Sequence, residues 1–161
     1  MKRDILNWKS EAPAALEVRR VLPRMVREYF KAGRKLDVQT NPRLMHAFRL
    51  KTKHLRYTLE AFEALYGAAI KPKIDALRPI QNALGESNDC EVLLALIGGQ
   101  MPVRARAAIS RRAQEKRQEF LRYWREEFDA AGEDKKWEGY LKRAKPNLVK
   151  TSLVKKGVAK K

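Results

Sequence analysis

The apolar residues in the first part of the chain recur at intervals of three and four, which is the spacing of an amphipathic helix. The pattern runs from Ala14 to Lys35, and Gly33 marks the expected end of the helix. Pro23 lies inside the pattern and predicts a kink or a fresh helical start nearby. The apolar stripe consists of Leu16, Val18, Val21, Leu22, Met25, Val26, Tyr29 and Phe30.

A second helix is indicated both by its boundaries and by its uninterrupted interior. Asn41 is an N-cap candidate, and Pro42 suits the first turn of a helix. No helix-breaking residue follows before Tyr66, and Gly67 has the position of a C-cap. We therefore expect one helix over residues 42–66.

Two shorter helices are expected next. One covers residues 72–84 and stops at Gly85, because glycine weakens a helix interior. Ser87 or Asn88 then caps a short apolar helix, which ends at Ile97 before two consecutive glycines.

The rest of the chain predicts one long charged helix and a basic end. The helix covers residues 102–131, and residues 137–145 add one or two turns. Residues 146–161 are expected to form a flexible basic tail. Because no strand pattern is present, the expected fold is all-α. It is a four- to five-helix antiparallel bundle with basic helix faces, formed as one domain by residues 1–145.

The composition excludes several classes of protein. With 161 residues, of which 44% are hydrophobic, the chain can bury a core without disulfides. Its one cysteine, Cys90, excludes an internal disulfide framework and a multi-cysteine zinc site. No segment approaches the roughly 18 apolar residues of a membrane span, and the start of the chain lacks a secretory signal. These features indicate a soluble, cytoplasmic protein.

The charge is the most informative feature of the composition. A formal net charge of +17 attracts polyanions and is costly through self-repulsion. Part of it lies in a row along one face of the first predicted helix, at steps of four, three, four and three. This first basic row consists of Arg20, Arg24, Arg27, Lys31 and Arg34. The alternative interpretation is a solvated face, or pairing with acids on another helix.

The second predicted helix carries another row. At about 100° per residue, one side of the helix collects three cations, an imidazole and a phenol, while the apolar residues face the other way. This second basic row consists of His46, Arg49, Lys53, Arg56 and Tyr57. Glu60 lies on the same side and can pair with Arg56 at i,i+4. If the two helices are neighbours, the two rows predict a basic groove that suits a linear polyanion.

Catalytic and metal chemistry find little support. His46 and His54 lack the cysteine or i,i+4 partners of a metal site, and Cys90 has the apolar neighbours of a structural thiol. No phosphate-binding loop, dinucleotide motif, nucleophile elbow or paired-carboxylate motif is present, so no cofactor is expected. An enzyme acting on phosphate chains would need metal-binding carboxylates, and the second basic row offers chiefly Glu60.

Nucleic acid is the main alternative polyanion. Eight Lys/Arg and no acid occur from Lys142 to Lys161, and backbone binding would use such a tail without reading sequence. Against this interpretation, no helix-turn-helix, RRM or KH signature is visible, and aromatic residues do not alternate with the cations.

Two motifs in residues 42–97 resemble the CHAD family of α-helical domains. The first is a histidine, an arginine three residues later and a basic cluster ending in Arg-Tyr, here the second basic row. The second is a Leu-Gly-x-x-Asn-Asp segment, formed by Leu84, Gly85, Asn88 and Asp89. Two motifs in the right order make the resemblance specific.

The resemblance implies noncatalytic binding of inorganic polyphosphate by basic helices that line a groove, and hence an association with polyphosphate granules. His46, Arg49, Lys53, Arg56 and Tyr57 would contact phosphates. The glycine, asparagine and aspartate of the second motif would shape and cap a turn.

The chain departs from the family in having one histidine-containing helix instead of two related ones. One interpretation is a half-length version of the domain. The other is a homodimer, whose twofold axis would place two second basic rows face to face.

Overall fold

The computed structural model describes residues 14–143, and these are almost entirely helical, without a strand. The expected all-α fold is therefore confirmed. The helices are α1 (Ala14–Gly33), α2 (Pro42–Ala61), α3 (Glu63–Tyr66), α4 (Lys71–Ile97), α5 (Val103–Tyr123) and α6 (Glu133–Arg143). Short 3₁₀ turns precede and follow α4, and a π-helical turn over Trp124–Phe128 continues α5.

The first helix ends where the sequence indicates, at Gly33, and Pro23 neither ends nor restarts it. Close packing explains the glycine, because a Cβ atom at Gly33 would lie 2.2 Å from Cζ2 of the buried Trp124. No side chain larger than hydrogen fits there without moving the indole.

The second helix has the expected cap and a shorter body than expected. Asn41 accepts a hydrogen bond from the backbone N–H of Leu44 through its side-chain oxygen, at 3.0 Å. The helix ends at Ala61, and α3 supplies one more turn before Gly67, whose φ of 71° lies in the left-handed region.

The predictions of a helix end at Gly85 and of a cap at Ser87 or Asn88 were wrong. Helix α4 runs without interruption for 27 residues, through both Pro79 and Gly85. The cost of a helical glycine is only about 1 kcal/mol. Burial of neighbouring apolar side chains such as Ile80 and Leu84 outweighs it, because α4 packs on α2 and α5.

The last helix is longer than the one or two turns expected. Helix α6 covers 11 residues and packs along α1, with Trp137 and Leu141 buried. The expected tail over residues 146–161 lies outside the described residues.

The core is rich in aromatic rings. Tyr29 stacks on Phe48 with ring centroids 4.9 Å apart, and its hydroxyl is hydrogen-bonded to that of Thr52 at 2.9 Å. Burial raises the pKa of Tyr29. This cluster joins four parts of the chain and fixes α2 relative to α1 and α5; its remaining rings are Phe30, Phe120, Trp124, Phe128 and Trp137.

Candidate functional site

The second basic row lies along the contact between α2 and α4, which run antiparallel. At one end, His46 Nδ1 is 2.6 Å from Asn88 Oδ1. Farther along, Arg56 donates from Nε to Gln81 Oε1, also at 2.6 Å. Between them, a Cβ atom at Gly85 would lie 3.8 Å from Arg49 Nε, so the missing side chain leaves space beside the guanidinium. The row therefore faces neutral groups on α4.

The far end of the row is a cluster around a phenol. Arg56 is also paired with Glu60, one helical turn away. Its guanidinium carbon lies 4.5 Å from the centroid of the Tyr57 ring, and Lys53 Nζ lies 5.6 Å from it. Tyr57 is 47% exposed, so its hydroxyl is open to solvent beside two cations.

The middle of the row has no carboxylate partner within residues 14–143. Arg49 Nε is buried and makes no hydrogen bond there, and Lys53 forms no ion pair in this part of the chain. A buried, unsatisfied guanidinium donor costs free energy that a ligand oxygen would recover. Arg49 and Lys53 are thus the cations of the row best placed to receive an anion.

Two acids of α4 are paired with cations of α5. Glu86 is paired with Arg112 and Lys116 of α5, and Glu91 is paired with Arg117. Hydrogen bonds from Lys116 and Arg112 lower the pKa of Glu86. These pairs stabilise the contact between α4 and α5. Asp89, four residues after Gly85, lies on the same face of α4 as Gly85 and is exposed without an ion pair among the described residues.

The first basic row behaves differently, because several of its members are paired. Arg20 is paired with Glu17 on the same helix. Arg27 binds both carboxylate oxygens of Glu138 on α6, at 3.0 and 2.7 Å. The alternative interpretation, pairing with acids on another helix, is therefore right for this cation.

Arg34 is paired across helices as well. It binds both oxygens of Asp129, at 2.8 and 2.7 Å, and contacts Asp134 of α6 at 3.0 Å. These hydrogen bonds raise the pKa of Arg34, and the one from Arg34 lowers the pKa of Asp134. Asp129 and Asp134 both follow α5 in the chain. Arg34, like Arg27, therefore contributes to the contact of α1 with α6 and the turn before it.

The two basic rows do not form one groove. Arg24 and Lys31 are exposed and have no ion pair among the described residues, and Lys31 borders a cavity of about 420 Å³ between α1 and α2. Lys35 and Lys51 also line this cavity, whose floor includes Phe48. The second basic row lies on the other side of α2, against α4.

The sequence did not indicate which residues of α4 lie beside the second basic row. Gly85 and Asn88 were expected to shape a turn, yet both lie inside α4, and Asp89 is exposed on the same helix. No sequence motif indicated Gln81, which accepts a hydrogen bond from Arg56. Its distances of four and seven residues from Gly85 and Asn88 were the available signal, since helical residues so spaced share a face.

The described part of the chain contains no cluster of residues typical of a metal site. Between residues 14 and 143, no three His, Cys, Asp or Glu side chains are grouped to hold a metal ion, and the Cys90 thiol is free and half-buried. None of the helices described is long and apolar enough to cross a membrane.

The structure thus defines an all-α bundle in which the second basic row on α2 lies beside Gln81, Gly85 and Asn88 of α4, and in which Arg49 and Lys53 have no carboxylate partner among residues 14–143. A family model described as the CHAD domain matches residues 1–98, which is more than half of the chain, so the protein belongs to the CHAD-domain family. This family is associated with polyphosphate binding. No curated protein and no solved structure matches the chain.

Proposed function

We propose that the protein binds inorganic polyphosphate in the α2–α4 groove without catalysing a reaction. The observation that carries the proposal is the position of Arg49, whose buried Nε lacks a partner beside the space left by Gly85. A phosphate oxygen there would satisfy this donor in a charge-assisted hydrogen bond. Membership of the CHAD family supports the same ligand.

Successive phosphates of one chain would contact successive members of the second basic row. His46, Arg49, Lys53 and Arg56 are spaced by three or four residues, so their side chains follow one another along the helix axis about 5 Å apart. Each solvated contact is modest, and the sum, together with counterion release, supplies the affinity. Tyr57 would donate a hydrogen bond from its exposed hydroxyl.

The surroundings of Tyr57 favour polyphosphate over nucleic acid. Two cations already lie near its ring, which suits hydrogen bonding by the hydroxyl better than stacking of a base. Polyphosphate also carries charge more densely than nucleic acid and has no bases to accommodate. We further propose a cytoplasmic location with association to polyphosphate granules.

The first basic row takes a smaller part in this proposal than the sequence indicated. Arg20 and Arg27 contact carboxylates in the structure, whereas Arg24 and Lys31 are exposed without an ion pair among residues 14–143. We assign Arg24 and Lys31 a peripheral role, in attracting the polymer rather than in fixing it.

A competition titration tests the ligand. Labelled long-chain polyphosphate is displaced by polyphosphate, duplex DNA or RNA at equal phosphate concentration and about 150 mM salt. Strong preference for polyphosphate is the expected result. Equal displacement by all three would contradict the proposal and indicate generic cation–polyanion attraction.

A matched pair of triple variants tests the groove. Replacement of Arg49, Lys53 and Arg56 by alanine should weaken polyphosphate binding more than tenfold, because each charge-assisted contact contributes about 1 kcal/mol or more. Arg122, Arg125 and Lys135 provide a control of the same composition, since they form no ion pair among the described residues and lie outside the groove. Equal losses in the two variants would rule out the groove as the site.

A further inference from the structure

The hairpin of α4 and α5 extends beyond the rest of the bundle. Ser87 is the last buried residue within α4, and Ala113 is the first within α5. Helix α2 begins at Pro42, and its His46 already contacts Asn88. Because α2 begins four residues before His46, its start reaches about one turn past Asn88. The part of the hairpin beyond about Val92 therefore lies past the start of α2, where α4 and α5 pack mainly on each other.

This distal part of the hairpin is apolar and exposed. Leu96 is 73% exposed and Val103 70% exposed, and three further large apolar residues are about half exposed: Val92, Leu93 and Ile97. Together they present several hundred Å² of apolar surface, the size at which a patch marks an interaction site. We call these five residues the hairpin patch.

The hairpin patch continues the groove-facing side of α4. Val92 and Leu96 lie seven and eleven residues after Gly85, so they share its face of the helix. As far as the start of α2, about one turn past Asn88, this face lies alongside α2, and beyond that point none of the described helices covers Leu96. The face has the composition of a helix–helix contact whose partner is missing.

The ends of the chain leave the bundle far from the hairpin patch. The guanidinium of Arg19, near the start of α1, donates to the carbonyl of Arg143 at 3.5 Å, and Tyr66, just before α4, donates to that of Leu141 at 3.1 Å. The 27 residues of α4 separate this end from Ile97 by about 40 Å.

The charge of the hairpin favours a second copy of the same chain. Residues 79–103 contain no Lys or Arg and three acids, in a protein with a net charge of +17. Two copies can therefore meet here with the least repulsion. Of those acids, Asp89 is exposed without an ion pair among the described residues, as are Arg104 and Arg106 at the start of α5. A twofold axis across the hairpin would bring Asp89 of each copy toward these two arginines of the other copy.

We propose that a second copy of this chain packs on the hairpin patch to form a symmetric homodimer. Because the hairpin patch continues the α4 side of the groove, the dimer would join the α2–α4 grooves of the two copies into one longer cationic surface. That consequence rests on the proposed function, whereas the dimer itself rests on packing and charge alone.

Molar mass in solution, measured by light scattering without polyphosphate, tests the dimer. The full chain should have twice its 18.6 kDa at about 100 µM, and Leu96→Glu should weaken self-association at least tenfold and give 18.6 kDa. Leu96 is already mostly exposed, so the variant should keep its helicity by circular dichroism. The control is Leu16→Glu, which alters a 55% exposed leucine on α1 and should remain dimeric.

A monomeric wild-type chain, or equal masses for the two variants, would overturn the proposal. Binding of a short polyphosphate to Leu96→Glu distinguishes the dimer proposal from the proposal of polyphosphate binding. If a monomeric variant still binds, both proposals are supported. If neither the variants nor wild type bind, only the proposed ligand is contradicted.

Discussion

His46 and Asn88 join the start of α2 to the middle of α4, with His46 Nδ1 and Asn88 Oδ1 2.6 Å apart. Because an amide oxygen only accepts, the imidazole donates from Nδ1, and this fixes its tautomer and its orientation. In the protonated imidazolium, Nε2 carries a second N–H that can donate to a phosphate oxygen. Asn88 places an uncharged amide, rather than a carboxylate, beside His46.

Asn88→Asp should weaken polyphosphate binding about three- to tenfold. The variant places a carboxylate at the end of the groove, where it repels phosphate and pairs with His46. The helices should be unaffected, since Asp is close to Asn in size and in helix propensity. Gln118→Glu on α5 adds the same charge away from the groove and should change the affinity much less. Similar losses in the two variants would argue against a site at Asn88.

The salt dependence of binding should decrease when the groove cations are removed. The logarithm of the association constant falls with the logarithm of salt concentration, with a slope that reflects the number of phosphate charges neutralised. The triple alanine variant of Arg49, Lys53 and Arg56 should lower this slope by about 2–3. Titrations at four salt concentrations measure it. An unchanged slope would mean that these three side chains do not contact phosphate.

Gly85→Ala should increase stability and reduce affinity at the same time. Alanine is favoured over glycine inside a helix by about 0.5–1 kcal/mol, and its Cβ would make only an ordinary contact with Arg49 Nε, at 3.8 Å. The added methyl group occupies the space in which we place a phosphate oxygen. Chemical denaturation and polyphosphate titration measure the two effects. Increased stability with unchanged affinity would show that the space is not used.

The sequence predicted the parts of this fold that local rules determine. Asn41 caps α2 and Gly33 ends α1, as their residue types and neighbours indicate. Helical spacing alone places the members of the second basic row on one face of α2. These features need no knowledge of what packs against the helix.

The sequence could not predict the features that depend on other helices. Gly85 resembles a helix end, but burial of Ile80 and Leu84 against neighbouring helices keeps α4 continuous. The partners of Arg27 and Arg34 lie about 100 residues away in the chain, on α6 and the turn before it. Periodicity placed both arginines on one face, yet only the three-dimensional fold shows that acids neutralise them.

Gly33→Ala should destabilise the protein by about 1–3 kcal/mol, the opposite of the effect expected at Gly85. The new Cβ would lie 2.2 Å from a ring atom of Trp124, which is 2% exposed and surrounded by other rings. Overpacking of this kind forces side chains from their rotamers or moves the backbone. Denaturation by urea measures the change, with Gly85→Ala as the matched glycine-to-alanine control. Equal stabilities for the two variants would contradict the close packing at Gly33.

Acid should weaken the contact between α1 and α6 through Glu138. The hydrogen bond from Arg27 holds the pKa of Glu138 below its usual range. A carboxylate with a lowered pKa stabilises the folded state above its unfolded pKa of about 4.3. That stability is lost as the pH falls through the lower folded value. The free energy of unfolding of the wild type should therefore decrease as the pH falls from about 5 to 3.

Glu138→Gln removes this contribution and gives the comparison that identifies its source. The variant should be less stable than wild type at pH 7, and the difference should shrink as the pH falls through the lowered pKa of Glu138, where the wild-type carboxylate becomes protonated. Glu28→Gln makes the same charge change on α1 at an exposed residue without an ion pair among the described residues, so it should follow the wild-type curve. Urea denaturation across this pH range measures all three proteins. Parallel curves for Glu138→Gln and wild type would show that the Arg27–Glu138 pair does not stabilise the α1–α6 contact.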